Sequence, residues 1–451
     1  MPLIRRACLL AAGVCIAAPA WGQAPAATPA VPSSPLAIHV GDADLLVGGF
    51  LDAVIAMRST ATGGGLPTPF GTVPFGNTPQ GNLGEMEFSA QNSRLSLQAT
   101  SAYHATAIKG YVEVDFLGTA PGGINVTSNS NTLRMRLYWA QFASKKYEFL
   151  AGQAWSLLTP NRSGVSPASS DVFFTQVVDS NYQAGLTWTR ATQFRFTAHP
   201  SGDLALAVAL ENPEQYVGSA VVLPAAFPAF EVNSGSATTT TPNRHPDLIG
   251  KAAWDPKTGG TRQHLEAAIL VRGFKTYDPA ADRTFGKSSV SGAVAASIEP
   301  VRNVHLVATS FFSNGGGRYI ANVNGPDLIV NADGSMTLVK SDSVIAGAEA
   351  VAGRSAFYGY YSRAWFGQTL ATDTDGATIG FGVPGSTAAN HTLHEATVGL
   401  TQTFFKDPKI GGLQASLQYS RLERHPFSVP AGTPAQATVN LVYVSVRFIL
   451  P

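Results

Sequence analysis

From Gly49 to the C-terminus the chain breaks into sixteen stretches in which apolar and polar side chains alternate. The connections between these stretches alternate between long and short. A period of two is the pattern of a strand with one apolar face. Alternating connection lengths are left by a chain that zigzags through a barrier, with compact turns on one side and large loops on the other. The two patterns together predict an all-β fold, a 16-stranded antiparallel transmembrane β-barrel with long extracellular loops and short periplasmic turns.

Strands are expected near residues 48–58, 86–100, 106–118, 132–143, 146–156, 191–199, 203–211, 247–254, 262–276, 287–299, 303–313, 341–351, 354–366, 391–405, 411–423 and 437–450. Most are longer than the five or six residues of an ordinary sheet strand and match the roughly nine to eleven that a tilted spanning strand needs. In the third, Val112, Val114 and Phe116 alternate with Tyr111, Glu113 and Asp115. In the fourth, Leu133, Met135, Leu137 and Trp139 alternate with Arg134, Arg136 and Tyr138. In the last, Val442, Val444, Val446 and Phe448 alternate with Tyr443, Ser445 and Arg447. A soluble sandwich also has polar outer faces, so strand length and loop alternation favour the barrel. Closure follows, because an open sheet edge in lipid would leave backbone groups unpaired. Aromatic residues near strand ends predict an interfacial girdle; they include Phe88, Tyr138, Trp139, Trp155, Trp254, Phe274, Phe311, Phe312, Phe366, Phe404 and Tyr419.

The N-terminus supports export. Arg5 and Arg6 precede an apolar run over 7–20, and Ala20-Trp21-Gly22 reads as a secretory cleavage site, giving a signal peptide over 1–22. A Pro/Ala-rich periplasmic linker is expected over 23–45 and the barrel over 46–451. Both cysteines, Cys8 and Cys15, lie in the leader, so thiolate and disulfide chemistry are excluded from the mature chain. Net charge falls from +1 to about −1 without Arg5 and Arg6, which gives no bulk signal for nucleic acid. Charged residues make up 13% of the chain, against an average near a quarter. No apolar run of 18 residues follows the leader, which argues against a helical membrane protein.

With sixteen strands the lumen is wide enough for water, and the polar faces line it. Alternation places Arg94, Arg134, Arg136, Arg195, Lys251 and Arg272 inward as basic lining, Glu113, Asp115 and Glu266 as acidic lining, and Arg363 and Glu395 inward as well. The arginines read either as a basic wall that attracts anions or as partners of Glu113, Asp115 and Glu211. The loop at about 157–190, carrying Arg162, Asp171, Phe173, Phe174 and Asp179, is expected to fold inward as a constriction. The alternative is an external loop.

The series NSRLSLQATS (92–101), KGYVEVDFLG (109–118), NTLRMRLYWAQF (131–142), LAGQAWSLLTP (150–160) and TQFRFTAHPSGDLALAVALENPE (192–214) resembles the first half of DcaP-like porins, over roughly residues 48–214. The resemblance implies a trimeric outer-membrane channel with loop three in the lumen. It also implies a preference for anionic solutes, dicarboxylates included. The arginines of SRL (Arg94), LRMR (Arg134, Arg136) and FRF (Arg195) would then serve the pore. The chain departs from the family in its short Pro/Ala linker, where some members have a periplasmic coiled coil, and in ending RFILP, with Phe448 three residues from the end.

The function expected is passive diffusion of small hydrophilic solutes across a Gram-negative outer membrane, by a homotrimer among outer-membrane lipid and lipopolysaccharide. A barrel enzyme would need grouped catalytic residues. The nine histidines are scattered and no Gly-x-Ser-x-Gly elbow occurs. His391 and His394 beside Glu395 come nearest to a cluster. An adhesion or structural barrel, working through its long loops, is the other alternative. No catalytic residue, cofactor or metal ligand is expected.

Overall fold

The computed structural model describes residues 34–119, 131–168, 173, 183–234 and 241–451. The expected signal peptide, residues 23–33 of the expected linker, and Asp171, Phe174 and Asp179 lie outside the described residues.

Sixteen antiparallel strands form a closed barrel. They are β1 (Ala43–Arg58), β2 in two pieces (Glu85–Ser89 and Arg94–Tyr103), β3 (Thr106–Asp115), β4 (Arg134–Ala143), β5 (Tyr147–Trp155), β6 (Arg190–Ser201), β7 (Leu204–Glu211), β8 (Asp247–Trp254), β9 (Thr261–Asp278), β10 (Arg283–Val301), β11 (Val304–Asn314), β12 (Lys340–Ala352), β13 (Ser355–Phe366), β14 (Asn390–Asp407), β15 (Gly411–Pro426) and β16 (Ala437–Ile449). Each pairs with the next, and β1 closes the ring on β16 from Phe50↔Ile449 to Arg58↔Leu441. At the foot of β1, where β16 has ended, a leading strand Ala37–Val40 pairs with 43–46. Ser34 Oγ donates to the Pro451 carbonyl at 2.8 Å. Part of the span expected as linker is therefore sheet: it covers an edge of β1 that would otherwise be bare. Gly49 allows this change of partner, since its φ is +129° and a Cβ there would lie 2.1 Å from the Arg94 carbonyl oxygen.

The barrel is apolar outside and polar inside. Leu95, Leu97, Phe194, Phe196, Leu206, Val208, Ile269, Val294, Val398 and Val446 are exposed on the outer wall, while Asp52, Asn92, Glu113, Asp115, Arg136, Gln193, Arg195, Lys251 and Arg272 are buried inside. This is the arrangement that lipid outside and polar groups inside require. Among the described residues no helix is long and apolar enough to cross a membrane.

Four expectations are corrected. In β4, Leu137 and Trp139 point inward and are buried, while Tyr138 is 40% exposed on the outside. The register slips between Glu113↔Leu137 and Val114↔Met135, leaving Arg136 as an extra residue, and this bulge reverses the phase of everything after it. The aromatic girdle is also thinner than expected. Phe88, Tyr138, Trp254, Phe312, Phe404 and Tyr419 face outward, but Trp139, Trp155, Phe274, Phe311 and Phe366 are buried, because strand ends above the membrane are packed by loops. Third, Arg363 lies on the outward face of β13, between the buried Ser362 and Ala364. Fourth, β9 and β10 extend well past their expected ends and close in the short turn 279–282, so the connection there is a tall hairpin rather than a loop.

The other long loops fold over the barrel mouth. Leu66, Phe70 and Val73 of loop one pack into one apolar cluster with Val217, Val221 and Val232 of loop four and Tyr319, Leu328 and Ile329 of loop six. Phe381 of loop seven completes that cluster. The hairpin foreseen over 327–340 is present as Leu328–Val330 paired with Met336–Leu338. A separate sheet joins Val221–Val222, Thr369–Thr372 and Thr378–Phe381. The loops therefore share an apolar core with inward-facing wall residues, among them Val54, Ile249, Leu270 and Tyr443.

Candidate functional site

The lumen is organised by charge pairs between neighbouring strands. Side chains opposite each other across an antiparallel pair lie close enough to interact. Register places Arg94 against Asp115 and Asp115 against Arg134. Arg136, the residue at the bulge, adds a third guanidinium to the same two acids. Arg136 Nε donates to Glu113 Oε1 at 2.6 Å and its Nη1 to Asp115 Oδ2 at 2.8 Å. Arg134 adds a two-pronged contact to Asp115, at 3.0 and 2.6 Å. Arg94 Nε lies 3.7 Å from Glu113 Oε1. Three arginines thus meet on Glu113 and Asp115. Of the three, the Arg134 side chain is the most accessible, at 30%.

The remaining basic candidates do not join this sector. Arg195 is buried on β6, donating to Gln193 Oε1 at 2.9 Å and to the Trp155 carbonyl at 2.6 Å. Lys251 pairs with Glu266 at 3.0 Å and also donates to the Thr159 carbonyl. Glu266 accepts from His264 on its other oxygen if that ring carries a proton there. Arg272 pairs with Asp247 at 3.0 Å and with Asp327 at 2.8 Å, the second bond reaching loop six.

Described residues of loop three touch walls far apart around the barrel. Near its start, the Leu157 amide donates to Glu211 Oε1 on β7 at 2.7 Å. Arg162 Nη2 then reaches Glu349 Oε1 on β12 at 2.5 Å. Phe173 packs edge-on to Tyr360 of β13. The Ala184 amide donates to Glu395 Oε2 on β14 at 2.7 Å, and Gln183 Nε2 to Thr397 Oγ1 at 2.6 Å. Wall carboxylates on β7, β12 and β14 thus hold this loop. Buried acceptors of this kind are costly to leave unpaired. Glu395 serves here, whereas His394 lies on the opposite, outward face of β14, its Nδ1 2.9 Å from the Tyr361 hydroxyl. His391 instead accepts from Trp365 Nε1 at 2.8 Å. The His391/His394/Glu395 group of the sequence is therefore not one cluster in space.

Between the arginine sector and the loops lies a cavity of about 600 Å³. Its lining includes Arg134, Trp155, Trp188, Arg190, Glu214, Tyr216 and Arg318. The indole rings of Trp155 and Trp188 lie 3.8 Å apart, and the Arg190 guanidinium is 5.5 Å from the Trp155 ring. Arg318 Nη2 donates to Asp247 at 3.0 Å, and its guanidinium lies 4.5 Å over the Tyr319 ring. Burial raises the Glu214 carboxyl above its ordinary range, against the pull of the Arg318 charge. Arg134 is the one candidate of the sequence that lines this cavity. Arg190 and Arg318 were missed: Arg190 begins β6 at the end of loop three, and Arg318 sits in loop six. The alternation read over 191–199 stops one residue short of Arg190, and no alternation reaches a loop residue such as Arg318.

No protein-family model and no curated protein matches the sequence. Solved structures do match. The outer membrane channel DcaP of Acinetobacter baumannii superposes with a TM-score of 0.64 at 16% identity, covering 90% of this chain and 97% of that one. An anion-selective porin from Comamonas acidovorans gives 0.53 at 12% identity, covering 90% and 99%. OmpF of Salmonella typhi, in complex with daunomycin, gives 0.50 at 12% identity, covering 92% and 99%. The chain is thus similar in structure to the DcaP channel, as its strand series suggested, and its fold is that of the sixteen-stranded outer-membrane porins.

Proposed function

We propose that this barrel is a porin of the Gram-negative outer membrane, a passive diffusion channel for small hydrophilic solutes that favours anions, dicarboxylates among them. The observation that supports the anion preference is the cavity lining, where the guanidinium groups of Arg134, Arg190 and Arg318 stand with the carboxylate of Glu214. Fixed charge in a confined aqueous path selects for counter-charge, and planar guanidinium groups suit carboxylates. Two of the similar structures support this reading: one is an outer membrane channel and one an anion-selective porin.

Loop three acts in this reading as the constriction. Arg162 and its wall contacts set the narrow passage, and Arg195, Lys251, Glu266 and Arg272 stiffen the lumen around it. A homotrimer embedded among outer-membrane lipid and lipopolysaccharide is the assembly proposed. Reversal potentials in a salt gradient test the selectivity: Arg134→Ala should reduce anion over cation permeability, and an unchanged ratio would contradict the assignment.

A further inference from the structure

The first part of loop three is a closed excursion. The Trp155 amide, at the end of β5, donates to the Pro167 carbonyl at 3.4 Å, so the chain from 155 to 167 leaves the wall and returns to it. A loop whose ends meet is placed by what its tip touches. On one side Arg162 Nη2 reaches Glu349 Oε1 of β12, and the Tyr360 hydroxyl donates to the same oxygen at 2.6 Å. On the other side, two backbone groups that flank Arg162 are held by β8 and the turn after it. Lys251 Nζ donates to the Thr159 carbonyl at 2.8 Å, and the Gly164 amide donates to Asp255 Oδ2 at 2.8 Å. Both holds lie toward the short-turn end of the barrel, since Asp255 directly follows β8 and Glu349 is near the end of β12.

One buried histidine joins the two backbone anchors. His264, 1% exposed on β9, sets Nδ1 2.8 Å from Asp255 Oδ1 and Nε2 3.2 Å from Glu266 Oε2. Glu266 Oε1 in turn accepts from Lys251 at 3.0 Å. The chain is continuous: Thr159 carbonyl, Lys251, Glu266, His264, Asp255, Gly164 amide. Other charges around it are engaged elsewhere. On β10, Ser297 stands opposite His264, and Glu299 accepts from the Arg262 and Asn303 amides. Behind Lys251 are Arg195 of β6 and Glu211 of β7, the latter taking the Leu157 amide. Among residues 157–168 of loop three the charged side chain is Arg162, which pairs with Glu349. A neutral imidazole carries one N–H and an imidazolium carries two. Only the charged ring donates to both Asp255 and Glu266. The neutral ring sets a bare nitrogen against one of the two carboxylates.

We propose that His264 is the positioning residue of loop three: its charged ring ties the Asp255 anchor to the Lys251–Glu266 anchor and so holds Arg162 on Glu349, and loss of the proton frees one anchor. The sign follows. The tie is complete at acid pH, where the ring is charged, and weakens as pH rises through the histidine titration. Its effect on current rests on the porin reading, with loop three as the constriction; the tie itself does not.

The test uses the full barrel as wild type, His264→Gln and Asp255→Asn, from about pH 5.5 to pH 9, a span that covers histidine titration. Hydrogen exchange at the Gly164 amide is read in detergent against the Leu157 amide of the same sample, so that the intrinsic pH dependence cancels. In the wild type this ratio should rise roughly tenfold with pH, the size expected for one lost hydrogen bond to a charged group. His264→Gln removes the titrating ring, and its ratio should be flat. Asp255→Asn keeps an oxygen for the Gly164 amide and gives an N–H to the neutral ring. Its tie no longer needs the proton, so its ratio should stay at the low acid value throughout; this variant also serves if His264→Gln fails to fold. In planar bilayers, wild-type current flicker should rise severalfold over the same pH range, and both variants should lose that dependence. A wild-type ratio that is flat or falls with rising pH, or a rise that persists in either variant, overturns the proposal. A barrel that shows the exchange change without conducting removes the porin reading alone, and one that conducts with a flat exchange ratio removes the role of His264 alone.

Discussion

Arg136 Nε lies 2.6 Å from Glu113 Oε1, with neither side chain more than 4% accessible. Continuing the register past Val114↔Met135 would set Arg136 directly across from Glu113; the bulge keeps Arg136 on that inward face and puts Leu137 opposite Glu113, where unbroken pairing would turn Leu137 to lipid. The same pair marks the edge of the proposed selectivity sector: Arg136 is locked in a charge network, and Arg134 beside it faces the cavity.

The two arginines should therefore respond differently to mutation. Removing Arg136 takes from Glu113 its partner at 2.6 Å and from Asp115 one of its two guanidinium partners, and breaking a buried pair in this way costs about 3–5 kcal/mol. Arg136→Ala should lower the unfolding midpoint in denaturant markedly, while Arg134→Ala should unfold near the wild type and alter selectivity instead. Equal loss of stability in both variants would show that the network is not centred on Arg136.

The bulge makes its own prediction by accessibility. Trp139→Cys should react with a small, water-soluble thiol reagent that reaches the lumen, and Tyr138→Cys should react with a lipid-soluble one. Neighbouring strands without a bulge keep strict alternation, so Val112→Cys should behave like Tyr138→Cys. The reverse labelling at 138 and 139 would restore the unbroken alternation of the sequence.

Legibility followed from local pattern. Strand number, strand order and the inward placement of Arg94, Arg134, Arg136, Arg195, Lys251 and Arg272 were all readable, because a period of two needs only neighbouring residues. Leu137 and Trp139 were misplaced because a bulge leaves no mark in that period. Arg318 was unreadable, since loop residues are placed by contacts between distant segments, such as Arg318 with Asp247, and Arg190 opens β6 one residue ahead of the expected strand. The resemblance to DcaP-like porins came from the order of several short stretches, and at 16% identity to the DcaP channel no single stretch carries it alone.

Glu214 gives the cavity a pH dependence. Its carboxyl is raised above the ordinary range by burial, so it gains a proton at a higher pH than a free glutamate. The sign follows: as pH falls toward that raised value, a negative charge leaves the cavity and anion preference increases. Glu214→Gln should show the higher anion preference already at neutral pH and a flatter pH profile down to the ordinary glutamate range. A profile identical to that of the wild type would assign the dependence to another group.

Loop three should loosen when its wall acceptor is removed. Glu395 Oε2 takes the Ala184 amide at 2.7 Å, and Glu395→Ala leaves that donor without its partner, a cost of about 1–3 kcal/mol. Single-channel records of Glu395→Ala should show larger and noisier current levels than the wild type. Steady, unchanged levels would mean that the loop's other contacts fix it alone.

The barrel is proposed as an aqueous path whose cavity lining gathers guanidinium groups. Conductance and reversal potential of the purified barrel in a planar bilayer, under a potassium chloride gradient, test both parts at once. Discrete ohmic steps with a reversal potential on the chloride side are the predicted result. A barrel that inserts without conducting, or that conducts with cation preference, would contradict the account.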